Sequence, residues 1–249
     1  MHSQKRIRVA FDMTLLQDRP GGSAVYATAL AAALRKRADI DLQMLAAERG
    51  GAFEMARWMA SGASRRVGQL GADVLHAPAF IAPINSPIPL VITVHDLSLS
   101  RMPSGHPLEW RLFYRLVLPR LVRRAAAVIT PTEATRRDVI EAFGIPPERV
   151  FVTPYGVDEH FVASTLRDRS TSPAAPRIVF PGPPIGRKNL DLVLRVMASA
   201  PEGSALSTAE LEITGAAEAD YPTYRAQIAE THLADRVRWR GRLPTEDLP

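Results

Sequence analysis

The 249-residue chain contains no cysteine. That removes disulfides and thiolate metal ligands and agrees with a reducing cytoplasm. Lysine is nearly as scarce: Lys5, Lys36 and Lys188 are the only three among 31 basic residues, and arginine supplies the rest. No stretch approaches the ~20 apolar residues of a membrane span. The N-terminus, MHSQKRIRVAFDM, starts basic, but its apolar run is short and broken by Arg8, and it lacks a small-residue cleavage site. It does not read as a signal peptide. The GxGxxG fingerprint is absent, as is an acidic residue ~20 positions beyond such a loop, which counts against an NAD-dependent oxidoreductase. No internal repeat is visible either.

What is present suffices for a packed core. Apolar residues make up 46% of the chain, and the length allows one large domain or two modest ones. The net charge of +5 suits nucleic acid, anionic lipid or a phosphorylated substrate. The motifs below set nucleic acid aside.

Apolar β-type runs alternate with helical patterns from end to end, which predicts an α/β protein with parallel sheets. Strands are expected at Ile7 to Phe11, Asp39 to Ala46, Val74 to Pro78, Leu90 to Val94, Ala127 to Thr130 and Val150 to Thr153. Helices are expected at Ala24 to Leu34, after Gly21-Gly22-Ser23, and at Ala134 to Phe143, closed by Gly144. Residues 48 to 72 read as helical and irregular by turns. Pro107 to Arg124 is a basic amphipathic pattern in which Trp110, Phe113, Tyr114, Val117 and Leu121 recur at helical spacing among five arginines, and Pro119 argues for a kink or a break. Such a helix can touch anionic lipid or pack its aromatic face on the sheet. Periodicity vanishes between Val162 and Pro176, so the domains are expected at 1–165 and 174–249. The second domain repeats the alternation: a strand at Ile178 to Phe180, a helix from Leu190, a strand at Leu211 to Thr214, a helix at Tyr221 to Glu230, a strand at Val237 to Trp239, and a capped helix start at Thr245 to Leu248.

Three places in this pattern can carry chemistry. Gly21 and Gly22 permit close approach of a ligand to the backbone at a helix N-terminus. His95-Asp96 lies at the carboxyl end of a strand, where open α/β sheets bind ligands, although His95 can equally cap a loop. In RIVFPGPPIGRKN, Arg187 and Lys188 fall at the mouth of a helix, where free N–H groups and the dipole favour an anion. Two cations there make a diphosphate clamp, or else a solvated helix start. Asp39-Ile40-Asp41 is a literal DxD triplet at the start of a strand, a pattern that also arises by chance.

Taken in order, Gly21-Gly22, VITVHD, AAVITPTEATRRDVI, RVFVTPYGVD, GxxxxRKN and GRLPTEDL resemble glycosyltransferase family 4 from about Ile7 to the last residue. The resemblance implies a GT-B fold of two facing Rossmann-like domains, the second incomplete in this chain. It also implies a retaining transferase that moves a hexose from a nucleotide-diphosphate sugar to a lipid-linked or polysaccharide acceptor. The match leans toward mannosyl- or rhamnosyltransferase-like enzymes of polysaccharide assembly. Neither a cofactor nor a metal is implied; the location is the cytoplasm, with peripheral contact at the inner face of the membrane. Carried across by residue, Gly21 and Gly22 admit the donor phosphates, His95 faces the transferred sugar, and Arg187 and Lys188 hold the diphosphate beside Gly182. Glu133 and Asp96 fall to the acceptor or to neighbouring loops. The sequence departs from the family at Gly182-Pro183, where a phosphate-binding side chain is common. It also ends before the E-x7-E motif, so the chain alone is expected to be inactive, as a fragment or a truncation. A partner-dependent nucleotide-sugar-binding subunit is the alternative.

Overall fold

Six strands of the computed structural model hydrogen-bond in the order β2-β1-β3-β4-β5-β6, all parallel. They are β1 (Ile7–Asp12), β2 (Ile40–Leu45), β3 (Val74–Ala77), β4 (Leu90–Thr93), β5 (Ala127–Thr130) and β6 (Val150–Val152). The structure describes residues 6–14, 16, 21–46, 57–98, 108–159, 161–162, 175–244 and 247. These fall into two compact units, 1–156 and 157–249. Of the stretch 162–176, where the loss of periodicity puts the boundary, residues 163–174 lie outside the described residues, as does most of the expected helix start at 245–248.

A parallel strand must be reached by a crossover, and crossovers leave helices on the sheet faces. The neighbours Ala10 and Phe11 show the result, since they point to opposite faces and each enters a different buried cluster. On one side Phe11 meets Ala27 and Ala31 of helix α1 (Gly22–Arg35), where alanine lets the helix lie close. On the other side Leu75, Ile92 and Val128 meet helices that follow β2, β4 and β5. The first of these is α2 (Ala63–Leu70), preceded by a wide turn at Trp58–Gly62; the last is α5 (Glu133–Phe143). The threonine at 132 caps α5, its hydroxyl accepting from the Thr135 amide at 3.1 Å, and Gly144 ends the helix in a left-handed conformation.

The run after β4 is helical straight through Pro119, so of the expected kink or break the break does not occur. Helix α3 (Leu108–Leu112) passes through a π turn (Phe113–Val117) into α4 (Leu118–Arg124) while the flanking residues Leu112 and Leu118 stay helical. A proline has no N–H to give to the carbonyl four residues back. Here the amide of Leu118 reaches five residues back to Phe113, and the Arg120 guanidinium donates to the carbonyl of Leu116. The helix widens instead of breaking.

The second unit holds a three-stranded parallel sheet, order β7-β8-β9, from Arg177–Phe180, Glu210–Thr214 and Val237–Gly241. Helices α6 (Leu190–Ala198) and α8 (Pro222–Ala229) help bury Phe180, Leu211 and Ile213, and a short helix, α7 (Ala205–Thr208), missed in the sequence, precedes β8. The alternate residues of the strands carry charge: Glu212 lies 3.7 Å from Arg177 and 3.9 Å from Arg240, and Glu210 lies 3.3 Å from Arg238. Each of these ion pairs is diagonal, offset by two residues from the register in which Arg177 faces Glu210 and Glu212 faces Arg238.

The loops after β7 and β8 touch. A Cβ on Gly215 would stand 2.8 Å from the Cα of Gly182, whereas one on Gly203, whose φ of 78° nearly equals the 75° of Gly215, would meet nothing within 4 Å. Gly203→Ala is expected to cost about 1 kcal/mol, the left-handed penalty alone. Gly215→Ala should cost roughly 2 kcal/mol more, because a backbone must move as well. Urea unfolding of the two variants side by side measures the difference, and equal midpoints would mean that the close approach of the loops carries no cost.

Candidate functional site

The order β2-β1-β3 places the topological switch between β1 and β3, because the chain leaves β1 in one direction and later returns on its other side. A crevice forms at such a point, beyond the carboxyl ends of the strands. Helix α1 starts there after Gly21, which has an extended backbone, and a Cβ on Gly21 or Gly22 would meet nothing within 4 Å. Neither glycine is demanded by conformation or by packing, so both leave free space before a helix N-terminus.

His95 stands two residues beyond β4, and both of its ring nitrogens are engaged. Its Nε2 lies 2.8 Å from the carbonyl oxygen of Pro78, and its Nδ1 lies 2.7 Å from the hydroxyl of Tyr155. A carbonyl only accepts, so Nε2 carries the proton and, in the neutral ring, Nδ1 accepts from Tyr155. Burial pushes the His95 pKa down, opposed by the Pro78 carbonyl and the charge of Asp96. Tyr26 of α1 meets the imidazole edge-on at 5.1 Å and lies 5.3 Å from the Tyr155 ring. The Tyr155 hydroxyl is pushed up to about 12, first by burial and then by Tyr26 and Asp96. The loop that supplies the Pro78 carbonyl is strained: Phe80 has a φ of 37°, and the Ile81 amide donates to Ala79 across it. Phe80 is held there by edge contact with the buried Tyr114 at 5.3 Å.

A second polar layer lies beneath. The hydroxyl of buried Thr93 is 3.0 Å from His76 Nε2 and 3.5 Å from the Tyr26 hydroxyl, linking the strand interior to the aromatic layer. His76, edge-on to Phe11 at 5.1 Å, is pushed down to about 4 by burial. Asp12, at the end of β1, is pushed up to about 6 by burial, against the opposing bonds from Thr14.

The remaining expected residues separate. Asp96 is exposed and accepts from the Ser98 amide at 2.8 Å, closing a turn. Glu133 sits in the first turn of α5 and pairs with Arg136 at 3.0 Å, on the same edge of the sheet as His95. Asp39 of the DxD triplet is held by Arg37 at 2.8 Å. In the second unit Lys188 folds back over its own loop, its amine donating to the Pro181 carbonyl and standing 5.9 Å from the centre of the Phe180 ring. A Cβ on Gly182 would stand 2.6 Å from that amine, so glycine at 182 is what lets the lysine lie there. The side chain of Arg187 lies outside the described residues. His95 is legible in the sequence, whereas Tyr26, Thr93 and His76 around it carry no signal there, and Tyr155 stands out only as part of a motif.

The two buried groups predict opposing pH effects. Asp12 binds its proton more tightly when folded, so its contribution is lost as pH rises from about 4 to about 6. His76 binds its proton less tightly when folded, so its contribution is lost as pH falls from its ordinary value to about 4. Asp12→Asn, which leaves only the His76 effect, should make acidification over that range about 2–3 kcal/mol more destabilising than in wild type. His76→Gln should do the reverse. Urea midpoints measured from pH 4 to 7 decide it; parallel curves for all three proteins would show that neither group titrates abnormally.

The fold is that of known solved structures. WaaG, a glycosyltransferase involved in lipopolysaccharide biosynthesis, matches with a TM-score of 0.61 at 15% identity over 94% of this chain and 70% of its own. The outer core galactosyltransferase WaaB matches at 0.60 and 13% identity, over 95% and 68%. The UDP-GlcNAc 2-epimerase of Neisseria meningitidis, solved with UDP-GlcNAc, matches at 0.58 and 14%, over 98% and 74%. Identities this low show the fold, which is GT-B, and do not separate transferases from epimerases. No curated protein matches. The separation comes from the sequence of the first unit: residues 20–161, more than half of the chain, match the model of Glycosyltransferase Family 4, and the protein belongs to that family.

Proposed function

We propose that the protein transfers a hexosyl group from a nucleoside-diphosphate sugar to a lipid-linked or polysaccharide acceptor, with retention at the anomeric carbon and without a metal. The observation that carries this reading is His95, which lies inside the family-matched segment and is held by both ring nitrogens beyond the carboxyl end of β4, beside Tyr26 of the helix that starts at the switch point. In the reaction the bond from the anomeric carbon to the diphosphate oxygen breaks, and its electron pair stays on the diphosphate. The acceptor hydroxyl forms the new bond on the same face and releases its proton. Negative charge therefore grows on the leaving group, where fixed cations and helix N-termini act without reorganising.

In this reading His95 faces the transferred sugar, its position set by Pro78 and Tyr155. Gly21 and Gly22 leave room for phosphate at the start of α1. Lys188 supplies a compact charge to the diphosphate, helped by Arg187. Mannose is the first donor sugar to test, and the cysteine-free sequence supports a cytoplasmic reaction. No helix among the described residues is long and apolar enough to cross a membrane.

His95→Ala should lower turnover by about two orders of magnitude, a typical loss for a positioned imidazole, while donor affinity changes far less. Tyr155→Phe should lose roughly a factor of ten, since the ring stays but its hydrogen bond is gone. Steady-state kinetics with a matched donor and acceptor test both in a form of the enzyme that includes the E-x7-E segment; unchanged turnover in His95→Ala returns the residue to loop capping. Lys188→Ala should weaken nucleoside-diphosphate binding by about 1.5–3 kcal/mol, or roughly one to two decades in Kd. Its loss in kcat/KM should be larger still, because charge builds on the diphosphate as the sugar leaves. Calorimetry with UDP, GDP, ADP and dTDP identifies the base and reads the loss. Wild-type affinity in Lys188→Ala would remove the lysine from the site.

A further inference from the structure

Helix α1 is alanine-rich and carries a single aromatic residue, Tyr26. Its neighbour Ala27 is fully buried in the cluster around Phe11, so the helix lies close to the sheet there, and the body of Tyr26 packs against the same cluster. At the far end its hydroxyl makes a long contact, 3.5 Å, with that of Thr93, the last residue of β4. Tyr26 is thus steadied at both ends by regular elements. Tyr155 is not: it stands three residues beyond β6, outside any helix or strand, and is 50% exposed. The hydrogen bond that joins it to His95 is short, at 2.7 Å, but a bond from an exposed side chain competes with water and holds little by itself. The rings of Tyr26, His95 and Tyr155 form a closed triangle, with centroids 5.1, 5.3 and 5.9 Å apart. Of its three corners, Tyr26 is the one anchored in a helix.

We propose that Tyr26 is a positioning residue for His95 and acts through Tyr155: its ring holds the phenol against the imidazole, so that both nitrogens of His95 stay engaged. Edge-on and tilted ring pairs at these separations attract beyond the area that they bury. Without the Tyr26 ring, Tyr155 keeps one hydrogen bond for which water competes, and its side chain swings off the imidazole. His95 then loses its partner at Nδ1 and its cover together. The Pro78 carbonyl still accepts from Nε2, so the imidazole is held from one side only, and small errors of placement at a reacting centre are costly in rate. Nothing in this role requires Tyr26 to touch a sugar or a phosphate.

The consequence for turnover rests on the reading of His95 given under the proposed function, whereas the positioning itself is read without donor or acceptor. NMR of isotope-labelled histidine follows the titration of His95, identified among the six histidines by His95→Gln. Burial is the main cause of the lowered pKa of His95, and Asp96, the charge that opposes it, is present in every variant. Uncovering the imidazole therefore raises its pKa toward the ordinary value. Tyr155→Ala should do so, Tyr26→Leu should do so as well, and the double variant should go little further than Tyr155→Ala. Tyr26→Phe, which keeps the ring, should titrate as wild type does. In a form of the enzyme that includes the E-x7-E segment, Tyr26→Leu should lower kcat about tenfold with the donor KM within roughly a factor of two, and Tyr26→Phe should restore it. Tyr26→Met serves if Tyr26→Leu does not fold. An unshifted titration in Tyr26→Leu, an equal shift by Tyr26→Leu with and without Tyr155, or a Tyr26→Phe variant that behaves as Tyr26→Leu does overturns the proposal. A shifted titration with unchanged turnover in both Tyr26→Leu and His95→Ala keeps the positioning and removes His95 from the reaction.

Discussion

A parallel strand can be followed by another parallel strand only if the chain crosses back over the sheet, so each loop that leaves a carboxyl end does so on the same edge. In the first unit that constraint brings residues from 12, 26, 76, 93 and 155 to one rim, although they are spread over most of its sequence. It also explains why the sheet can host polar groups at all. In β3, β4 and β5 the polar side chains come at the last residue or the one before it, whereas β1 and the edge strand β2 also carry Arg8, Asp41 and Gln43 earlier. Asp12, His76, Thr93 and Thr130 all hold one of those last two positions, and all are buried.

Burial without partners is costly, and the rim shows how the cost is met. Thr93 can both donate and accept, so it satisfies His76 and reaches toward Tyr26 from a side chain that fits a strand. His95 is settled by a carbonyl on one side and a phenol on the other, an arrangement that fixes its tautomer and its plane together. Asp12 and His76 are displaced in opposite directions by the same cause, low dielectric, each toward its neutral form. Near neutral pH His76 is therefore uncharged, while Asp12, raised only to about 6, still carries most of its charge.

Much of this was legible in the sequence where local rules decide. The strand and helix alternation was read correctly because apolar period and glycine punctuation are local, as with Gly144 closing α5. The position of His95 followed from one strand ending and one fold rule. Its partners did not, because the Tyr155 hydroxyl is 60 residues away and only the sheet order brings it near. The phosphate-binding side chain read as missing belongs to position 183, where this chain has proline; the structure adds that glycine at 182 leaves room for the amine of Lys188. No sequence period announces that kind of complementarity, in which one residue is small because another folds back upon it.

The outer face of 108–124, where Leu108, Leu112 and Leu116 are exposed, was hidden for a related reason. Read as an α-helix, residues four apart overshoot each turn, so Leu108, Leu112 and Leu116 would drift around the surface. The π turn between Phe113 and Val117 reverses the drift, since four residues fall short of a turn closed by bonds five residues apart. Pro119 follows this turn and has no donor for the carbonyl four residues back, and Leu118 and Arg120 serve the carbonyls of Phe113 and Leu116. Tyr114, within the widened turn, is buried and meets Phe80 edge-on, two residues beyond the Pro78 carbonyl that His95 reaches.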